Sequence, residues 1–153
     1  MSVGEICNRH VTIIGKYDSI YSAARLMRDH NVTNVIVVES CNGINIPVGV
    51  VTDHDIVVAI IAEGLQPDTV SIGDIMMDGL LIANEGDDVV ATLKRMRHKG
   101  IRRIPVIREN HGLIGVLSID NILDALAEQL NDIDQIIIRE QYAKEQLSLR
   151  FSN

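Results

Sequence analysis

Two stretches of the chain, 19–29 and 88–99, carry apolar side chains at helical spacing, the second through Val89, Leu93 and Met96. An acid stands just ahead of each, Asp18 or Asp87, and predicts the N-cap. Each helix leads into two short β-branched runs joined by a turn, VTNVIVV and IPVGVVT in the first case, IRRIPVI and GLIGVLS in the second. A second helix follows each pair, and a short strand, 12–14 or 81–83, precedes each first helix. The unit is β-α-β-β-α, written twice. Between the copies, LQPDTVS turns at Pro67-Asp68, and Ser71 is placed to cap a short helix over SIGDIMM.

The repeat can be followed residue by residue. An offset of 69 lays Ala24–Arg28 over Leu93–Arg97 and Val35–Val38 over Ile104–Ile107. Past that point the offset is 66, with Gly49-Val50-Val51-Thr52 over Gly115-Val116-Leu117-Ser118 and Ile56 over Ile122. The three-residue difference falls between ESCNGINIP and RENHG, hairpin turns where length is free to change. The copies read as 1–65 and 66–131, with a C-terminal helical extension over 132–153.

The helix opening at residue 119 outruns its counterpart. Ile119, Leu123, Leu126, Leu130, Ile133 and Ile137 step by 4, 3, 4, 3 and 4, a coiled-coil-like seam that needs cover, either from the chain's own domain or from a second copy. Asp120, Asp124, Glu128 and Asp132 form an acidic row on the same helix, read as a solvated face.

The repeat also duplicates one feature with chemical content. Thr52-Asp53-His54-Asp55 and Ser118-Ile119-Asp120-Asn121 each end a strand and open a helix. A hydroxyl followed three residues later by a carboxylate or amide has the form of a capping box. Gly49 and Gly115, three residues before each hydroxyl, let a ligand or another backbone approach the strand closely. Pro105 cannot donate to a strand ladder and predicts an open edge in the second copy.

Composition narrows the functions. Aromatics are 3%, with no Trp, so stacking platforms for bases are scarce, and a net charge of −7 repels polyanions on average. Nucleic acid is therefore not an expected partner. The longest apolar run, IVVAIIA, is far short of a membrane span, and MSVGEICNRH has no signal-peptide character, which leads to an expectation of a soluble cytoplasmic protein. Cys7-x-x-His10 lacks the second pair a metal site needs, and Cys7 aligns with the apolar Met76, so no metal is expected. No nucleophile is paired with a base, and neither a P-loop nor GxGxxG is present, so no enzyme is expected.

With GVVTDHD and GVLSIDN at corresponding points of a tandem β-α-β-β-α unit, the chain resembles a pair of cystathionine-β-synthase (CBS) domains, a Bateman module, over residues 5 to about 131. Through GVVTDHDIVVAIIAEGL, the linker and IRRIPVI it resembles the small stand-alone bacterial CBS-pair proteins that carry no enzyme or channel domain. The resemblance implies an α/β (α+β) fold, two repeats packed about a pseudo-twofold with a long C-terminal helix, and two clefts that hold adenosine-containing ligands. It implies a regulatory sensor acting in signal transduction by conformational change, with an adenine nucleotide (AMP, ADP or ATP) as ligand and a homodimer as its assembly. Carried onto this chain, the ribose contacts are Thr52 and Asp55 in the first copy and Ser118 and Asn121 in the second, while backbone of the strand bearing Pro105 frames adenine. An ionised carboxylate accepts from both ribose hydroxyls with charge-assisted strength; Asn121 accepts without the charge. His54 stands where relatives carry Arg, making the charge beside the helix start titratable. Of the basic run Lys94 to Arg103, Arg103 adjoins the strand and is the candidate for a ligand phosphate. S-adenosylmethionine or NAD as ligand, and a ligand-free interaction or oligomerisation protein, stay open as alternatives.

Overall fold

A computed structural model describes residues 1–77 and 79–152. The chain divides into two compact units, Met1–Ser118 and Ile119–Asn153. In the first unit, each repeat opens with a one-turn helix, α1 (Val3–Ile6) or α4 (Ile72–Ile75). Strand β1 (Ile13–Gly15), helix α2 (Ile20–His30) and the hairpin β2 (Asn34–Cys41) and β3 (Ile44–Thr52) follow in the first repeat. Helix α3 (Asp53–Ile56) runs on into a π-helical turn over Val57–Ile61. The second repeat supplies β4 (Ala83–Asn84), α5 (Val89–Lys99), β5 (Arg103–Ile107) and β6 (Leu113–Ser118). The other unit is one helix, α6 (Ile119–Phe151), 33 residues long.

Two three-stranded sheets result, ordered β1-β2-β3 and β4-β5-β6, each with a parallel first pair and an antiparallel second pair. Their registers repeat as well. Val37 lies opposite Gly49 and Val106 opposite Gly115, and each antiparallel ladder is irregular immediately after that pair. The length difference is in the hairpin: β2 and β3 close on Asn42-Gly43, both at positive φ, whereas β5 and β6 are joined by a longer loop.

Two expectations need correcting. The N-caps are Ser19 and Asp88, whose side chains accept from the backbone N–H of Ser22 and Ala91. Asp18 and Asp87 stand one residue earlier, where their carboxylates accept from Gly15 and Asn84 N–H and tie down the strand-to-helix turn. Nor is Pro105 on an edge, since β5 is the middle strand of its sheet. In the first repeat Ile36 N–H donates to Thr12 O at 2.9 Å. Pro105 occupies the equivalent position and has no N–H to give. The parallel ladder accordingly begins one step later, at Ala83–Val106, than its counterpart at Ile13–Ile36.

Each sheet buries its face under its helix. In the first repeat Ile20, Ala23 and Met27 of α2 join Val35, Val37 and Val51 in one cluster. The second repeat places Val89, Met96, Ile104, Val106 and Leu117 at the corresponding buried positions. Where the first has Ala23 the second has Thr92, 1% exposed, whose hydroxyl has no partner among the described residues.

The short leading helices dock on the other repeat, not only on the one they lead into. Val3 and Gly4 donate to the carbonyls of Asp87 and Glu85 at 2.9 and 2.8 Å, and Asn8 exchanges two hydrogen bonds with Val116 at 2.9 Å. Ile72 and Gly73 in turn donate to Asp18 and Lys16, both at 2.8 Å. The two leaders are thus traded between repeats, position for position at the offset of 69.

Candidate functional site

Helix α3 begins where β3 runs out at Thr52, and local chemistry fixes that junction. Thr52 Oγ1 accepts from Asp55 N–H at 3.1 Å, and Asp55 Oδ2 accepts from Thr52 N–H at 2.9 Å, closing a reciprocal capping box. Asp53 N–H donates to Thr33 O at 2.9 Å, which ties the turn to the start of β2, and Asp53 Oδ1 accepts from His54 N–H at 2.8 Å. Thr52 and Asp55 are half-buried; Asp53 and His54 are exposed. The junction therefore joins a hydroxyl and a carboxylate at one corner. One carboxylate oxygen is held by the cap, and the other makes no hydrogen bond among the described residues.

In the second repeat Ser118 ends β6 and is paired across the ladder with Arg103, as Thr52 is paired with Asn34 in the first. The structure thus brings Arg103 and Ser118 onto neighbouring strands, and replaces a neutral amide with a guanidinium at that point. Pro105 is buried and lies opposite Val116. Asn121 lies in the first turn of α6, and both it and Ser118 are engaged in interactions of their own. His54 belongs to the first-repeat junction with Thr52 and Asp55, whereas Arg103, Pro105 and Ser118 lie on β5 and β6.

The basic run between Lys94 and Arg103 is divided in its roles. Arg95 donates to the Ile82 carbonyl at 2.6 Å and bonds Asp87 Oδ2 at 3.2 Å, which makes it a brace for the β4–α5 turn. Lys94, His98 and Lys99 line a shallow cavity of about 310 Å³ floored by Leu81. A second cavity, about 560 Å³, lies between Glu85 and Arg108. The corresponding residues of the first repeat, Lys16 and Glu39, close on each other in a 3.2 Å ion pair. Neither cavity is lined by the Thr52–Asp55 junction.

Residue patterns did not disclose what occupies the two motif glycines. A Cβ on Gly49 would lie 2.9 Å from Met76 Sδ, and one on Gly115 would lie 2.8 Å from both Cys7 Sγ and Asn8 O. Close approach is required at both, and a traded leader makes it in each case. The signal was present as Cys7 and Met76 at the repeat offset, each facing the glycine of the other repeat. Burial pushes the Cys7 thiol up, away from thiolate, in keeping with a packing role. Among the described residues no group of three or more His, Cys, Asp or Glu could hold a metal ion, and no helix is long and apolar enough to cross a membrane.

The chain matches the family model for the CBS domain twice, over residues 3–62 and 72–128. An uncharacterized protein of Methanopyrus kandleri is 33% identical over 123 residues, which make up 80% of this chain and 61% of that relative, so the chain spans less than two thirds of its length. Hypoxic response protein 1 of Mycobacterium tuberculosis is 31% identical over 124 residues, 81% of this chain and 84% of the relative. A solved structure of Hypoxic Response Protein I with two coordinated zinc ions matches with a TM-score of 0.70 at 27% identity, covering 81% of this chain and 98% of that one. A CBS domain protein of Pyrobaculum aerophilum, solved in complex with AMP, matches with a TM-score of 0.70 at 26% identity, covering 79% of this chain and 89% of that one.

Proposed function

Because the chain belongs to the CBS-domain family and carries two of its repeats as a regulatory module, we propose that it is an adenine-nucleotide sensor in which Thr52 and Asp55 hold the ligand ribose. The observation that carries this reading is the capped junction itself. It fixes a hydroxyl and a carboxylate on one corner and leaves one carboxylate oxygen without a hydrogen bond among the described residues. The AMP bound by the Pyrobaculum relative supports that ligand class. In the second repeat the same reading assigns ligand contacts to Ser118 and Asn121, with Arg103 for phosphate, Pro105 in the strand that frames adenine, and His54 beside the first-repeat phosphate. The module spans 1–65 and 66–131, acts in the cytoplasm without catalysis of its own, and works as a homodimer.

Calorimetric titration with AMP, ADP, ATP, NAD and S-adenosylmethionine tests the reading. Binding of an adenine nucleotide is expected. Asp55→Asn keeps an acceptor for the Thr52 cap but removes the charge, so affinity is expected to fall about ten-fold, corresponding to roughly 1.5 kcal/mol of charge-assisted bonding. Asn121→Ala is expected to cost less. Silence of the wild-type chain toward all five compounds at millimolar concentration overturns the proposal and favours a ligand-free interaction protein.

A further inference from the structure

The heptad seam of α6 does not end at Ile137. Continued with the same steps of 3 and 4, it passes through Glu140 and Lys144 and resumes at Leu147 and Phe151. The helix runs unbroken over this whole length, about 50 Å at 1.5 Å per residue. Ile119 is half-buried, and from Leu123 on the apolar seam residues are open to solvent, Leu123, Leu126, Leu130, Ile133 and Ile137 being 45–68% exposed, and Leu147 and Phe151 56% and 75%. A stripe of this length left in water marks an interaction surface.

The charges on the helix identify what covers it. Residues 119–134 carry five acids and no base, whereas 135–151 carry three bases and two acids. Side by side in parallel, two copies would set acidic half against acidic half, Glu140 against Glu140 and Lys144 against Lys144, with like charges facing each other in the seam. Reversed, the acidic half of each meets the net-basic half of the other. The seam positions are symmetric about residue 135, so in that orientation Leu123 faces the partner's Leu147, Ile133 faces the partner's Ile137, and Ile119 faces the partner's Phe151. Glu140 and Lys144 then lie against leucines, and the ion pair they make with each other at 2.8 Å compensates both charges within one helix. We infer that α6 is the dimerisation element of this chain, pairing antiparallel with α6 of a second copy. This deepens the homodimer reading above and rests on it.

Orientation decides the matter. Leu123→Cys and Leu147→Cys are made separately in the full chain, each with the exposed Cys41 replaced by Ser. The two proteins are mixed and oxidised, and the disulfides identified by mass spectrometry, with light scattering of the wild-type chain alongside. A wild-type dimer and a disulfide linking position 123 to position 147 are expected. A monomer by light scattering overturns this inference together with the homodimer reading. A dimer that links 123 to 123, or that gives no disulfide at either position, overturns the antiparallel pairing alone.

Discussion

Asp55 has two tasks in the reading above, and substitutions at this residue separate them. Its Oδ2 closes the cap on Thr52 N–H, so Asp55→Ala is expected to lower the melting temperature of the ligand-free chain by the loss of a cap, about 1 kcal/mol. Asp55→Asn retains an acceptor there, so its melting temperature is expected to stay close to wild type while its nucleotide affinity falls. Thermal denaturation of both variants without ligand checks the first half of this statement, and calorimetry the second. Thr92 presents the opposite case, a buried hydroxyl with no partner among the described residues at a position the first repeat fills with Ala23. Thr92→Val keeps the shape and removes the desolvated hydroxyl. It is expected to raise stability by about 1 kcal/mol, a rise of roughly 2–4 °C in a chain of this size. An unchanged or lower melting point would contradict it.

At the scale of elements, the traded leaders give the motif glycines their purpose. A methyl group on Gly115 would meet the Asn8 carbonyl, a backbone atom bonded to Val116, with no flexible side chain to yield. Gly115→Ala is therefore expected to destabilise the fold by about 1–3 kcal/mol. Gly86→Ala, whose added methyl meets nothing within 4 Å, serves as the control in the same denaturant titration. The sequence alone made the repeat legible, because hydrophobic period and β-branched runs are local properties. Helices α2 and α5, both hairpins and the position of the length change all follow from it. The capping box at Thr52 was legible for the same reason, as it is closed by residues three apart. What stayed hidden is long-range. No periodicity states which repeat a leader joins, so Gly49 and Gly115 read as places of close approach by a ligand or another backbone without saying which, and sulfur and backbone of the traded leaders fill the space. Pro105 read as an edge because a lost donor was equated with a lost neighbour. The strand keeps both neighbours and drops a single rung. Asp18 and Asp87 show a subtler confusion, since two adjacent polar residues can each cap something and only geometry tells turn from helix.

At the scale of the whole molecule, residues 138–152 are exposed throughout and lie past the last buried residue, Ile122. Removing 138–153 is expected to leave the CBS core folded with a cooperative melt, because the second repeat ends before them, while deleting the basic half of the pairing surface proposed for α6. Calorimetry reports the first effect and light scattering the second; loss of the cooperative melt would mean that the extension is needed to fold.

The exchange of leaders also bears on how the two halves can communicate. Val3 and Gly4 are anchored to the turn after β4, and Ile72 and Gly73 to the turn after β1, through main-chain bonds that, proline apart, no side-chain substitution deletes. Neither repeat can loosen its β-α turn without tugging on a segment that is covalently continuous with the other. The two are thus interlocked like clasped hands, through the chain itself rather than through the side chains that lie between them. Such a mechanical linkage comes with the topology.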